Sequence, residues 1–226
     1  MQFKISKELL VQIEQLIHQK ADNELEILLN DMHHADIAEI FDELESEEAI
    51  YIFKILDSEI TAEILTELED DVREKLLRGL SAKEIAEELD ELDTDDAADI
   101  IPELPQRKKE EVISELEDVE HAKDIVDLLR YDEDSAGGLM GKELVKVNEN
   151  WNVLTCVKEM RIQAENVTRV HSIYVVDDEN RLKGRLSLKD LLTTSTKTPI
   201  SDVYIKKVDS VRVNDSNVEV ARIMQK

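Results

Sequence analysis

The sequence is short of nearly everything that breaks or staples a chain. Its 226 residues include one cysteine, Cys156, with five glycines and three prolines. A single thiol excludes a disulfide framework and suits a reducing compartment. So few breakers point to a helix-rich globular chain, and 42% apolar residues suffice for a sizeable core in one or two domains. No apolar run approaches the ~20 residues of a membrane-spanning helix, so this stretch is not expected to cross a bilayer by itself. The start, MQFKISKELL, lacks the apolar core of a signal peptide. Basic charge is scarce as well. The 28 Lys and Arg face 54 Asp and Glu, a net −26, which argues against a nucleic-acid partner. There is no nucleophile–base pair, no phosphate-cradling loop and no metal-hydrolase spacing, so no enzyme is expected.

What is present is acid, and it is unevenly placed. Residues 1–130 hold 13 Lys and Arg against 39 Asp and Glu, whereas residues 131–226 hold 15 of each. One half therefore carries the whole imbalance, at a cost in self-repulsion. Most of these carboxylates read as a solvated helical surface. The sharper reading is that some of them gather where a cation belongs.

The acidic half is an internal repeat. Leu44, Leu56, Leu68, Leu80, Leu92, Leu104, Leu116 and Leu128 recur every twelve residues. Three positions before each stands an apolar residue, from Phe41 and Phe53 to Ile113 and Ile125. Four before, Ile40, Ile52, Ile64, Leu76, Ile100 and Val112 continue the stripe, and Glu88 and Asp124 interrupt it. One continuous helix is impossible, because twelve residues at ~100° leave about 120° of drift per repeat. The chain must break between repeats. Ser46, Ser58, Asp70, Thr94 and Asp118 are candidate N-caps, Pro105 marks another boundary, and Ser81–Glu84 fits a capping box. IAEIFDEL (37–44), TAEILTEL (61–68) and IAEELDEL (85–92) pair the units at 24 residues. The expectation is an all-α superhelical solenoid over 1–130, with one or two amphipathic helices over 3–30.

From YDEDSAGGLMGKEL (131–144) onward the period changes. Val145–Val147 reads as a strand, Trp151–Ala164 as a helix, and SIYVVDD (172–178) with LKGRLSL (182–188) as a hairpin; a helix starts at Lys189. The order is β-α-β-β-α. VRVNDSNVEVARIM repeats the strand–turn–helix of VKVNENWNVLTCVKEM, so 198–226 is expected to start a second copy, with a strand at VDSVRV.

The strand YVVDD, the run GRLSLKD and this element order resemble a tandem CBS regulatory module. Joined to the acidic repeat through DEDSAGGLM, with DDAAD (95–99) inside it, the chain resembles the cytosolic region of the MgtE-type magnesium transporters. The resemblance implies an α plus α/β chain: an acidic helical domain at 1–130, a linker at 131–141, a first CBS domain at 142–197 and an incomplete second at 198–226. It implies a homodimeric Mg²⁺ sensor on the cytoplasmic face of the cell membrane, followed by a transmembrane domain. In that family Mg²⁺ bridges the helical and CBS domains and favours a closed pore. By position, the resemblance assigns metal roles to Glu63, Asp95, Asp99 and Gly138, the last through its carbonyl. Lys189 and Asp190 would serve an adenine nucleotide, ATP or AMP. His171 and Ser172 stand where the family often has tyrosines, which removes a stacking ring. The alternative is a nucleotide-sensing CBS protein whose helices form a partner-binding adaptor.

The chemistry of the residues is compatible with Mg²⁺, a hard cation that takes oxygen ligands and keeps several waters. No Cys or His cluster suits zinc, and His33 and His34, adjacent on a helix, should point apart. Asp93, Asp95 and Asp96 are explained as early helix residues behind a Thr94 cap; Asp99 is not. Glu63 reads equally as an exposed repeat position, Gly137–Gly138 equally as a hinge, and Trp151 as core or interface rather than ligand-binding.

Overall fold

The computed structural model describes residues 5–164, 167, 170 and 172–225. They form two units: Met1–Leu92 with Asp96–Val126, and Asp93–Asp95 with Asp127–Lys226. None of the described helices is long and apolar enough to cross a membrane.

The first unit is a run of short helices. α1 (Lys7–Gln19) and α2 (Asp22–Asn30) precede α3 (His34–Glu43), α4 (Ser46–Phe53), α5 (Ser58–Glu67), α6 (Asp70–Gly79) and α7 (Ala82–Asp90). α8 (Thr94–Ile100), a 3₁₀ turn at Ile101–Glu103, α9 (Gln106–Glu115) and α10 (Val119–Leu128) follow. Alternate helices pack: α3 on α5, α5 on α7, α7 on α9, and α4 on α6. That alternation is the 24-residue pairing in three dimensions. The stripe forms the core: Phe41, Ile64, Leu65, Leu77, Ile85 and Leu89 are buried.

Most of the repeating leucines lie just past the helix ends rather than on a helical face; Leu128 is the last residue of α10. Leu44, Leu68, Leu80 and Leu104 are C-caps with extended backbone (ψ between 143° and 155°). A second extended residue follows each of these leucines and caps the next helix. The caps therefore sit one position earlier than expected. Glu45, Asp57 and Glu69 occupy the extended cap position, and Ser46, Ser58 and Asp70 are the first helical residues. The extended leucine leaves no room for another linking residue, so cap polarity alone misplaced the boundary. Ser81 and Asp118 cap as expected. Ser81 Oγ accepts the Glu84 amide, whose carboxylate accepts the Ser81 amide at 2.6 Å, and Asp118 Oδ1 accepts the amides of Glu120 and His121.

Scarce cations brace this unit. The Arg73 guanidinium, on α6, grips the Glu103 carboxylate through Nε (3.0 Å) and Nη2 (2.6 Å), and its Nη1 reaches the Leu68 carbonyl at 2.9 Å. Lys108 Nζ donates to the carbonyls of Leu77 and Leu80 (2.7 and 2.5 Å), closing the end of α6.

The second unit holds a three-stranded sheet, β1 (Val145–Asn148), β2 (Ile173–Val176) and β3 (Leu182–Leu186), in that order. β1 pairs parallel to β2, with Val145 opposite Ile173, and β2 pairs antiparallel to β3. α11 (Val153–Gln163) makes the parallel crossover, and α12 (Leu188–Thr193) follows β3, giving the expected β-α-β-β-α order. Val147, Cys156, Ile173, Val175, Leu186 and Ile200 form its core, with Trp151 half-buried against it. Burial pushes the Cys156 thiol up to about 12, helped by Glu159, so it packs as a small apolar side chain. Asn180 takes the left-handed conformation (φ 61°) and closes the hairpin turn under the Asp177 carboxylate.

The strand expected at VDSVRV does not form; 206–212 has no regular structure before α13 (Asn217–Met224). A strand needs a ladder partner, and among the described residues these find only scattered backbone bonds. The Ala136 and Gly137 amides donate to the carbonyls of Asp215 and Val213 (2.7 and 2.8 Å). Val211 and Val213 alternate and Val208 is out of phase with them, and β-propensity without a neighbour makes no sheet.

The leucine-stripe packing yields a direct expectation. Leu65→Ala, at a site with no exposure, costs about 2–5 kcal/mol in urea unfolding, and Leu44→Ala, at a half-buried site, costs clearly less.

Candidate metal and nucleotide sites

The acidic stretch begins at α8. Thr94 is its first residue, and its hydroxyl does not cap the helix as expected. It is engaged by residues 142–143: Thr94 Oγ1 donates to Glu143 Oε2 (3.1 Å) and accepts the Lys142 amide (3.0 Å). The Thr94 amide donates to Glu143 Oε1 at 2.9 Å. The cap is thus a carboxylate from a residue 49 positions on. A carboxylate there satisfies an orphan N–H and meets the positive end of the helix. Beside it, a Cβ on Gly141 would lie 3.0 Å from Glu143 Oε2 and 3.2 Å from Asp95 Oδ1, so two carboxylates flank one glycine. Lys142 Nζ adds a 2.6 Å ion pair to Asp127.

Asp95 is half-buried and Asp99, one turn on, is exposed. Both make interactions of their own. Gly138 lies in the second unit, where its amide donates to Ser135 Oγ (3.2 Å). A Cβ on Gly138 would come within 2.4 Å of the Asp132 carbonyl oxygen, and one on Gly137 within 2.6 Å of the Tyr131 ring. Neither glycine has a left-handed φ, so close approach requires them, not a turn. Glu63 is exposed on α5, in the first unit. His34 Nε2 is 4.0 Å from its carboxylate and 3.8 Å from that of Glu67. The histidines correct the expectation that they diverge. His33 is an extended N-cap rather than a helical residue, so the two rings lie 4.0 Å apart.

Among the described residues no group of three or more His, Cys, Asp or Glu side chains is arranged to hold a metal. The structure therefore sets Asp95 and Glu143 on either side of Gly141 and places Asp99 on the helix of Asp95, while Glu63 and Gly138 stand elsewhere. Two carboxylates flanking one glycine do not form a closed metal cage, and Glu143 already gives both oxygens to Thr94. Sequence reasoning missed Glu143, which nothing in the acidic repeat announces.

At the other end of the sheet, Ser187 caps α12. Its Oγ accepts the Asp190 amide (3.0 Å) and donates to Asp190 Oδ2 (2.7 Å). Asp190 is half-buried, and Lys189 is exposed beside it. His171 lies outside the described residues; Ser172 is half-buried.

Comparison with known proteins assigns this architecture. The family model for the MgtE intracellular N domain matches residues 32–134, and that for the CBS domain matches residues 136–196. The cytosolic domain of the Mg²⁺ channel MgtE, solved in complex with ATP, superposes with a TM-score of 0.86 at 31% identity, covering 96% of this chain and 88% of that one. The chain belongs to the MgtE family. The soluble part of a magnesium transporter gives a TM-score of 0.79 at 27% identity, covering 97% and 86%. The magnesium transporter MgtE of Thermus thermophilus is 33% identical over 97% of this chain and 49% of its own length. That of Enterococcus faecalis is 35% identical over 47% of this chain and 23% of its own. The chain thus spans about half the length of the first of these MgtE proteins, or less.

The Thr94–Glu143 cap makes its own prediction. Glu143→Ala leaves the Thr94 amide, at a residue 2% exposed, without its acceptor, at a cost of about 1–3 kcal/mol. Hydrogen exchange at Thr94 then accelerates, while exchange in the β1–β3 sheet stays as in the parent chain.

Proposed function

We propose that this chain is the cytosolic Mg²⁺-sensing and gating region of an MgtE-type transporter. The observation that carries the reading is the confinement of net charge to residues 1–130, with 39 acidic against 13 basic residues, in a chain of this family. Carboxylates at this density repel one another, and divalent cations cancel that repulsion by binding through water between acidic groups. Asp95, with Glu143 beside it over Gly141, is the first candidate contact, and Asp99 and Glu63 are further ones; Gly138 offers a backbone carbonyl. Weak binding of several ions turns a millimolar concentration into a population shift toward the compact, closed state. The chain acts on the cytoplasmic face of the cell membrane, ahead of a transmembrane domain, and works as a homodimer through its CBS unit. The exposed Leu188 and Leu192 on α12, and Leu154 and Ile162 on α11, give that unit apolar faces to pair.

Limited proteolysis of the chain across a Mg²⁺ titration tests this. Millimolar Mg²⁺ slows cleavage, and Asp95→Asn or Asp99→Asn raises the midpoint by about fivefold or more. Unchanged cleavage in the parent chain, or parent-like midpoints in both variants, would sink the reading.

A nucleotide reading has one specific support: the superposed MgtE cytosolic domain was solved in complex with ATP. Lys189 would face phosphate, and Asp190, pre-oriented by Ser187, would accept from ribose hydroxyls. Calorimetry with ATP and AMP should then show binding that Asp190→Ala abolishes and Glu63→Gln leaves intact. Tight nucleotide binding without any Mg²⁺ response would favour an adaptor role for the helical unit.

A further inference from the structure

Glu88 interrupts the apolar stripe. It occupies the position that Ile40, Ile52, Ile64, Leu76, Ile100 and Val112 fill in other repeats, and it is buried there, 7% exposed. Its Oε2 accepts a 2.6 Å hydrogen bond from Thr61 Oγ1, from α5 to α7. Thr61 is fully buried. Its hydroxyl also lies 3.2 Å from the Asp57 carbonyl and 3.3 Å from that of Ser58. One hydroxyl proton thus has three acceptors in reach. When Glu88 is ionised, the proton must serve the buried anion. When Glu88 is protonated, its O–H donates to Thr61 Oγ1, and the Thr61 proton turns to the Asp57 carbonyl. The second arrangement pairs both groups and buries no charge.

Among the described residues, no cation partners the Glu88 carboxylate. Glu87 and Glu91, on either side, repel it. α5 presents Thr61. Lys108 of α9 is committed to the carbonyls of Leu77 and Leu80, and its charge partners are Glu111 and Glu84. His121 of α10 meets the Leu89 carbonyl at 3.0 Å.

We infer that Glu88 makes the packing of α5 on α7 proton-dependent: a neutral carboxyl closes the contact and an ionised one loosens it. Burial pushes the Glu88 carboxyl up to about 7 against the Thr61 bond, with Glu87 and Glu91 adding to the rise. A carboxyl raised in the folded state stabilises it fully below the ordinary value of 4.5, and that contribution is lost as pH rises through about 7. This response needs no magnesium.

The test compares the chain with Glu88→Gln, which keeps the shape and cannot ionise. Infrared difference spectra of the parent chain should show a protonated carboxyl that disappears with a midpoint near pH 7 and is missing from E88Q. Between pH 5 and 6.5 the unfolding constant of the parent should rise relative to E88Q by about tenfold per pH unit. Identical pH dependence in both chains, or a midpoint near 4.5, overturns the inference. If E88Q does not fold, Thr61→Val decides: losing the donor to the anion must move the infrared midpoint upward, and an unmoved midpoint overturns the inference.

Discussion

A twelve-residue period cannot be commensurate with a 3.6-residue helix, and the helical unit follows from that mismatch. The apolar stripe can face one core only if the chain stops and restarts within each repeat. Helices of seven to ten residues result over α3 to α10. Such helices are too short to persist alone, so each depends on the neighbour two positions along. Stability is thereby spread over similar contacts, α3 on α5, α5 on α7, α7 on α9, in place of one central core. A polar residue in one stripe position therefore weakens one contact and leaves the others intact. That is the setting in which Glu88 is tolerated.

Short helices also determine where the acid goes. With a narrow apolar stripe, most of each helix faces water, and in this chain that surface is mainly Asp and Glu. The cations are too few to pair them and are placed where they do structural work as well. Arg73 joins Glu103 to two carbonyls at the end of α5, and Lys108 caps α6. Lys54 reaches Glu84 at 2.7 Å, and this bond, with the Ser81 hydrogen bonds, holds the Glu84 carboxyl down to about 2. Exposed pairs contribute little individually. The excess charge on the rest of the surface stays uncompensated within the unit.

The period, the alternation of helices and the β-α-β-β-α order were legible because each is a pattern of burial, and burial is written in side-chain polarity. Features that depend on distant backbone were not. Ser46 and Ser58 look like caps, but the extended residue before each, Glu45 and Asp57, takes that role. Thr94 looks like a cap, but Glu143 takes that role from 49 positions away, and no local pattern encodes such a distance. VDSVRV is rich in valine but has no ladder partner among the described residues. Glu88 stood out as an interruption of the stripe, although only the Thr61 contact shows that it is buried and not turned outward.

Exposed and buried carboxylates differ in which ions can reach them. An exposed group such as Asp99 is screened by ordinary salt within about 10 Å at 0.1 M, so monovalent ions blunt long-range repulsion and leave only close pairs under strain. Where two carboxylates lie close together, a divalent ion has an advantage over salt, because it meets two charges at once with its waters in place. A buried group such as Glu88 is beyond the reach of salt or hydrated metal, and only a proton is small enough to neutralise it in place. Burial therefore separates the two responses proposed above: a hydrated divalent cation can reach carboxylates that meet water, and a proton alone can neutralise one drawn into the packing of α5 on α7.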